Sequence, residues 1–444
     1  MDIEQKYIEE AQEKLLKGDS VRAEHLALLV LAVSPDNALA ELILGTALLL
    51  QQRYEEAVQM LESSLAREQR WSGCLSLANC YLKLSRPEDA LQAARRGLAI
   101  SPDEITLQAA VAGALHGLRR FAEAVEAADI VLRMKSDWSA LGYKGAALEK
   151  MGRFEEAVDC FRRAAAEKPG QNLFALVDFS IETFGELSAA PPISIAPPAY
   201  VIEPAETAGA GFTVLACCDA SYLYRYGGSF VGSFAVIGEP NASLHLHVIN
   251  PDGACLARLK TLAKKVPKVR LSVSTESSPA EVNASPTAGS TYFACNRFLQ
   301  LPAFLGHLRN SIMVVDIDYV FESRVADVVR VASECDLAYM PREIPSAPWA
   351  DYLAGLVVAR PTPLTLEYFN LVGQFILRAM RRGEASWMLD QLALYCVHRM
   401  MQRFGKEPKM CAIDADQRSC LWHIGHSYQS RHKDPRVQRH KQAF

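Results

Sequence analysis

The sequence has little of several features that mark particular classes of protein. None of its 11 cysteines forms a Cys-x-x-Cys pair, which argues against a zinc ribbon. No apolar run approaches the roughly 18 residues of a membrane span, and the charged N-terminal segment lacks the apolar core of a secretion signal. A formal charge of −4 gives no sign of a general nucleic-acid or membrane binder. These absences predict a cytoplasmic protein with reduced thiols.

The chain is long and rich in apolar residues. It has 444 residues, of which 50% are hydrophobic, so two or three domains with sizeable cores are expected. Five alanines recur every 33 or 34 residues, at positions 23, 57, 90, 124 and 157. Four of them end a similar phrase, as in Arg53-Tyr-Glu-Glu-Ala57. Small residues also recur eleven or twelve positions before four of these alanines, at Gly45, Ala78, Ala112 and Ala146.

Small residues at a fixed period are typical of helices that cross closely, and prolines at 35, 102 and 169 end three of the units. The pattern resembles the tetratricopeptide repeat, a helix–turn–helix unit of 34 residues. Five units cover about residues 4–172, and we assign 1–187 to the array. Such arrays bind peptides or proteins on a concave surface, so the resemblance implies a protein partner. A dimerisation or spacing role is an equally open alternative.

The pattern changes after the array. Residues 188–210 are rich in proline and alanine, and their five prolines exclude a continuous helix. We interpret this segment as an extended linker. In residues 211–444, short apolar strands alternate with amphipathic helices, which predicts an α/β sheet covered on both faces. The predicted fold class is therefore a multidomain chain, with an all-α solenoid followed by an α/β domain.

The most informative stretch of the second domain runs from Ser311 to Phe321. An apolar run ending at Val315 predicts a buried strand, and Asp316 and Asp318 follow it. Side chains at i and i+2 of an extended segment point the same way, so both carboxylates can reach one cation. Ligands of open α/β sheets bind beyond the carboxyl ends of strands. Carboxylates suit Mg²⁺ or Mn²⁺, which commonly also bind substrate phosphates.

Other partial motifs accompany this one in order along the chain. They are Cys218-Asp-Ala-Ser-Tyr222, Tyr292-Phe-Ala-Cys-Asn-Arg297-Phe, Trp387-Met-Leu-Asp390-Gln391 and Leu421-Trp-His-Ile-Gly425-His426. With the Asp316–Asp318 pair, they resemble the motifs of nucleotide-diphospho-sugar glycosyltransferases of the A-type fold, closest to the family-8-like group that includes glycogenin. The resemblance spans about residues 211–430.

The resemblance implies a role for each of these motifs. Asp316, Asp318 and His423 would hold Mn²⁺ or Mg²⁺, and Asp390 and Gln391 would face the transferred sugar as the catalytic pair. The residues implied to contact the nucleotide-sugar are Cys217, Asp219, Tyr222, Arg297, Val315, Asp316, Ile317, Gly355, Gly425 and Lys433. The implied activity is transfer of a sugar from a UDP-sugar to an acceptor, with retention of configuration.

The sequence also departs from that family. Leu353 and Ala354 stand where an asparagine precedes the internal glycine, Leu392 replaces a second acid, and a Lys-Pro-Trp segment is missing after His423. These departures favour an alternative, a scaffold whose transferase-like domain is inactive. A nucleotidyl- or phosphotransferase is a third possibility, although the only candidate phosphate loop, Gly227-Gly228, lies far from the first strand.

Overall fold

The structure is a computed structural model that describes residues 3–167, 172–190, 199–203, 211–279, 286–341, 352–414 and 416–423. The chain divides into two compact units, with the boundary between Ala175 and Leu176. Within the described ranges, no helix combines the length and the apolar character needed to cross a membrane.

The first unit consists of helices that pair in sequence order. They are α1 (Ile3–Leu16), α2 (Ser20–Val33), α3 (Ala38–Leu50), α4 (Tyr54–Arg67), α5 (Trp71–Lys83), α6 (Pro87–Ile100), α7 (Ile105–Gly117), α8 (Phe121–Met134), α9 (Trp138–Lys150) and α10 (Phe154–Glu167). A short helix, α11 (Asn172–Leu176), follows. The predicted tetratricopeptide array is confirmed.

The recurring residues account for the helix pairs. All five periodic alanines are fully buried. A Cβ atom added to Gly45 would lie 2.6 Å from Cγ of Leu61, so the small residue allows α3 and α4 to cross closely. In four of the units an arginine precedes the second helix and pairs with the acid three residues on, as Arg53 does with Glu56 at 2.6 Å. The repeat phrase therefore encodes both the crossing point and the start of the second helix.

The second unit has helices on a mixed sheet. Its elements are α12 (Ile181–Ala189), β1 (Ala199–Ile202), β2 (Phe212–Asp219), α13 (Ala220–Tyr222), a π-helical turn (Leu223–Gly227), α14 (Gly228–Ile237), β3 (Ala242–Ile249), α15 (Gly253–Lys265), β4 (Arg270–Glu276), α16 (Pro286–Leu299), α17 (Leu301–Leu308), β5 (Ser311–Val315), β6 (Tyr319–Phe321), α18 (Ala326–Val331), a 3-10 turn (Ala332–Glu334), β7 (Leu337–Met340), β8 (Leu353–Ala359), α19 (Pro363–Arg381), α20 (Leu389–Arg403), β9 (Met410–Ala412), a second 3-10 turn (Gln417–Cys420) and β10 (Leu421–His423).

Among the described residues, eight strands form one sheet in the order β1-β4-β3-β2-β5-β8-β7-β9. The central strands β4, β3, β2 and β5 are parallel, whereas β8 is antiparallel to β5 and β7. The chain moves outward from β2 to β4 and then returns to place β5 on the other side of β2. Such a reversal creates a crevice between β2 and β5 at their carboxyl ends, which is where open α/β sheets bind ligands.

Residues before the first central strand also belong to this unit. Arg403 Nη1 donates a hydrogen bond of 2.9 Å to the carbonyl oxygen of Phe179, and the rings of Phe184 and Phe404 stack at 4.6 Å. Within the predicted linker, β1 pairs with the outer edge of β4. This part of the chain therefore completes the sheet unit.

Candidate functional site

The candidate site lies at the carboxyl ends of β2 and β5. These strands are parallel neighbours, with Leu215 opposite Val314, and Asp219 and Asp316 stand at or just beyond their ends. Two separate sequence motifs are thus brought to one edge of the sheet. Of the other residues predicted there, Cys217, Val315 and Ile317 are buried, so their contribution to this edge is mainly backbone.

A buried arginine joins two of the predicted carboxylates. Arg297, on α16, is only 7% exposed. Its Nη1 donates to Oδ1 of Asp316, and its Nη2 donates to Oδ2 of Asp390 at 2.7 Å. Burial opposes the charge of the guanidinium, but the carboxylates of Asp316 and Asp390 outweigh it and raise the pKa of Arg297. Three motifs that are distant in sequence therefore form one ion-paired group.

Gly355 lies against this group from β8. Its carbonyl oxygen accepts a hydrogen bond from the Asp316 backbone N–H at 3.3 Å. An added Cβ would lie 2.8 Å from Oδ2 of Asp316 and 3.4 Å from the hydroxyl of Tyr319. The absence of a side chain at position 355 therefore lets the Asp316 carboxylate occupy its place.

Two tyrosines respond to the acidic charge of the site. Burial raises the pKa of Tyr222, and the carboxylates of Asp318, Asp219 and Asp316 raise it further. Burial, then Asp316 and Asp318, also raises the pKa of Tyr319. Tyr222 is 46% exposed, and Asp219 accepts a 2.8 Å hydrogen bond from its backbone N–H. The ring of Tyr222 therefore presents an aromatic surface beside three acids.

The start of α20 adds a strained segment. Met388, directly before the helix, has φ of 70°, a left-handed conformation that is rare for a residue with a side chain. Asp390 follows in the first turn, and its Oδ1 accepts a 2.8 Å hydrogen bond from the N–H of Gln391. The turn thereby fixes the carboxylate that Arg297 contacts.

Several buried polar atoms around the ion pairs have no hydrogen-bond partner in the described part of the chain. They are Asn296 Oδ1, Arg297 Nε and Gln391 Nε2. Buried polar groups are satisfied in the great majority of cases, by protein, water or ligand. Of these atoms, one belongs to Arg297 itself, and the other two belong to the chain neighbours of Arg297 and Asp390.

The donor set for a cation is partly described. Asp316 and Asp318 supply two carboxylates, and β10 places the backbone of His423 opposite Tyr319, the residue after Asp318. The described side chains contain no cluster of three or more His, Cys, Asp or Glu residues arranged to hold a metal. Carboxylate oxygens such as those of Asp316 and Asp318 are of the kind that Mg²⁺ and Mn²⁺ bind, and metal binding here stays a prediction. Gly425, Lys433 and the side chain of His423 lie outside the described part.

One buried carboxylate beside α16 was not predicted from the sequence. Glu276, at the end of β4, accepts hydrogen bonds from Tyr292, Asn296 and Gln300. Their spacing of four residues was the available signal, because it places three polar side chains on one face of a helix.

Family comparisons match only the repeat unit. The family described as anaphase-promoting complex, cyclosome, subunit 3 matches residues 19–97, and the tetratricopeptide repeat family matches residues 114–172. No curated protein matches the chain. The family matches agree with the helix pairs, and they indicate a protein-interaction module.

Solved structures also resemble the chain. A crystal structure of MamA is 20% identical and covers 37% of this chain and 91% of its own, with a TM-score of 0.32. TTC0263, a tetratricopeptide protein of Thermus thermophilus, is 18% identical and covers 39% and 95%, with a TM-score of 0.35. YrrB, described as a tetratricopeptide protein with an unusual peptide-binding site, is 19% identical and covers 38% and 88%, with a TM-score of 0.32.

Proposed function

We propose that the sheet unit is a metal-dependent glycosyltransferase that moves a sugar from a UDP-sugar to an acceptor, with retention of configuration. The observation that carries the proposal is the group formed by Arg297, Asp316 and Asp390 beside the crevice between β2 and β5. Each member comes from a different glycosyltransferase-like motif. Their convergence beside a ligand-binding crevice supports a site built for an anionic, hydroxylated ligand.

The residues divide by chemistry. Asp219 and Tyr222 flank the end of β2, where the half-exposed ring can stack on a base. Arg297 carries the positive charge that a diphosphate needs. Asp390 and the buried amide of Gln391 offer an acceptor and an unsatisfied donor to sugar hydroxyls. Gly425 and Lys433 stay predicted contacts of the diphosphate.

We assign Mn²⁺ or Mg²⁺ to Asp316, Asp318 and His423. When bound, such a cation supplies charge stabilisation to a leaving diphosphate. Arg297 complements it, because its guanidinium can exchange a carboxylate oxygen for a phosphate oxygen. The burial of Arg297 makes that interaction stronger than it would be in bulk water.

The test is calorimetric titration of UDP and several UDP-sugars, with and without Mn²⁺. The variants are Asp316→Ala/Asp318→Ala and, as a matched control, Asp327→Ala, whose carboxylate pairs with Arg330 on the surface. We expect metal-dependent binding in the wild type and the control, and at least a tenfold loss in the double variant. Binding that survives the double substitution would contradict the assignment.

A non-catalytic scaffold is the second candidate. Leu392, which stands where the family has a second acid, is fully buried, and Arg297 already pairs with both Asp316 and Asp390. A site whose charged side chains already pair with one another needs no ligand to hold its shape. Failure of the wild type to bind any UDP-sugar or Mn²⁺ would favour this candidate.

We propose that the repeat array binds a protein, which is either the acceptor, a separate partner or a second copy of the chain. The confirmed solenoid supports this, since such arrays present extended binding surfaces. Light scattering across a concentration series separates self-association from a monomer that needs another partner. A constant monomeric mass would exclude the second copy.

A further inference from the structure

Glu276 is a buried carboxylate at the sheet edge that none of the motifs above includes. It ends β4, where its register partner is Ile249, and Ile249 in turn pairs with Asp219. The side chain of Glu276 is 7% exposed. It therefore shares the edge with the candidate site but lies two strands away from Asp219.

Three side chains of one helical face converge on this carboxylate. The Tyr292 hydroxyl and the Asn296 amide donate to Oε1 at 2.7 Å and 2.5 Å, and the Gln300 amide donates to Oε2. Residues spaced by four lie on one stripe of an α-helix. The single carboxylate thus contacts the stripe along two turns of α16 and at its C-terminal end.

A histidine approaches the carboxylate from the other side. His247 Nε2 lies 3.3 Å from Oε2 of Glu276, and His247 Nδ1 lies 2.9 Å from the Ser274 hydroxyl. Burial alone would raise the pKa of Glu276, but the neighbouring His247 imidazole and the hydrogen bonds from Tyr292 and Gln300 lower it. The contacts of this one carboxylate therefore connect α16 to β3 and β4.

Arg297 follows Asn296 directly on this helix. The direction of its side chain is consequently set by the rotation of the stripe that Glu276 contacts. Elsewhere α16 packs through apolar side chains, as where Phe298 stacks on Phe369 with ring centroids 5.9 Å apart. Hydrogen bonds to a carboxylate are directional, so they constrain the rotation of the helix more closely than apolar contacts do.

We propose that Glu276 is a positioning residue, which fixes the rotation of α16 so that Arg297 reaches Asp316 and Asp390 together. What Arg297 does for a ligand rests on the proposed function. The placement of Arg297 does not, and it can be measured in the protein without any ligand.

The test is Glu276→Gln in the full chain, with ¹⁵N-arginine labelling and Arg297→Lys to assign the signals. A buried, doubly ion-paired guanidinium gives protected N–H signals. We expect the Arg297 signals of Glu276→Gln to exchange with water at least tenfold faster than in the wild type. Glu367→Gln, an exposed glutamate on α19, is the matched control and should leave them unchanged. Wild-type exchange in Glu276→Gln would overturn the proposal.

Tyr292→Phe is the second variant in case Glu276→Gln does not fold. It removes one donor to Glu276 and keeps the ring, so a smaller increase in Arg297 exchange is expected, and no increase would count against the proposal. If the wild type bound no UDP-sugar but Glu276→Gln or Tyr292→Phe still increased the Arg297 exchange rate, only the proposed function would be refuted. If the wild type and both variants bound UDP and had the same Arg297 exchange rate, only the positioning role would be refuted.

Discussion

A Cβ atom on Gly355 would lie 2.8 Å from Oδ2 of Asp316, closer than non-bonded carbon and oxygen atoms can approach. Asp316 has little freedom to yield, because Arg297 holds its other oxygen and its backbone N–H donates to Gly355. The two residues come from β8 and from the turn after β5. A glycine on one strand thereby determines where a carboxylate of its antiparallel neighbour can stand.

Gly355→Ala tests this relationship. We expect displacement of Asp316, a loss of about 1–3 kcal/mol in the unfolding free energy of the sheet unit from overpacking, and at least a tenfold loss of Mn²⁺-dependent UDP binding. Urea unfolding monitored by hydrogen exchange measures the stability, and calorimetric titration measures the UDP binding. Gly306→Ala is the control, since an added Cβ there meets nothing within 4 Å. Normal UDP binding by Gly355→Ala would refute the steric argument.

The sequence could predict what depends on local pattern. The periodic alanines identified the helix pairs, and the apolar run that ends at Val315 located β5. The helical pattern of residues 292–307 predicts a single helix, which is wrong because the chain breaks at Gln300 into α16 and α17. Pro302 in the first turn of α17 has no N–H for a continuous helix. A proline ten residues into the predicted helix was the missed signal.

Contacts between segments that are distant in sequence could not be predicted from local sequence patterns. Nothing local in Ala199–Ile202 indicates that it pairs with the edge of β4, since the prolines around it predicted a linker. The hydrogen bond between Arg297 and Asp390 joins residues 93 apart in sequence. Only the order of β2 and β5 in the sheet creates the crevice where those motifs meet.

Arg297→Met tests the buried ion pairs. Removing one cation leaves Asp390 buried and Asp316 mostly buried without their partner, so we expect a loss of about 3–5 kcal/mol in the unfolding free energy of the sheet unit. A buried carboxylate without a cation favours protonation. The loss should therefore be smaller near about pH 5 than near about pH 8, as measured by urea unfolding at both.

Arg297→Lys is the informative comparison for that variant. It keeps the charge but cannot bridge two carboxylates with one planar fork. An intermediate loss with less pH dependence is expected. Equal stability of Arg297→Met and wild type would show that the ion pairs contribute nothing net.

Asp178→Asn tests the segment that precedes the sheet. Asp178 accepts hydrogen bonds from the Thr183 hydroxyl at 2.7 Å and from the Ser180 N–H at 3.0 Å. Burial alone would raise the pKa of Asp178, but these bonds and Arg378 lower it. A lowered folded-state pKa stabilises the fold above the unfolded value of about 3.9, and this stabilisation is lost as pH falls through the folded one.

The expected result is a loss of about 1–3 kcal/mol for Asp178→Asn at neutral pH. The variant should also lose less stability than the wild type between about pH 5 and about pH 2. Urea unfolding across that range, read from the exchange of α12 and α19 amides, measures both. Asp327→Asn, at an exposed ion pair, should behave as the wild type does. A parallel acid profile in Asp178→Asn would rule out this contribution.

The turns inside the repeat units allow a prediction of increased stability, whereas the variants above lose stability. In each unit, the turn after the first helix contains one residue at positive φ. This residue is a glycine in two units, Gly18 and Gly152, and has a side chain in the other three, Gln52, Ser85 and Arg119. The following N–H closes the same bond each time, as Arg53 N does to Leu48 O at 3.0 Å. This is the helix-ending geometry that favours glycine.

A left-handed conformation costs a residue with a side chain about 1–2 kcal/mol, and glycine avoids this strain. Glycine also makes the unfolded chain more flexible, which cancels about 0.5–1 kcal/mol of the gain. The triple variant Gln52→Gly/Ser85→Gly/Arg119→Gly should therefore raise the unfolding free energy of the array, by about 0.5–1 kcal/mol per site. Gln59→Gly, within α4, is the opposing control and should lower it by about 1 kcal/mol. If the triple variant unfolded at lower urea than the wild type, the three turns would have to be held by their side chains and not by their backbone.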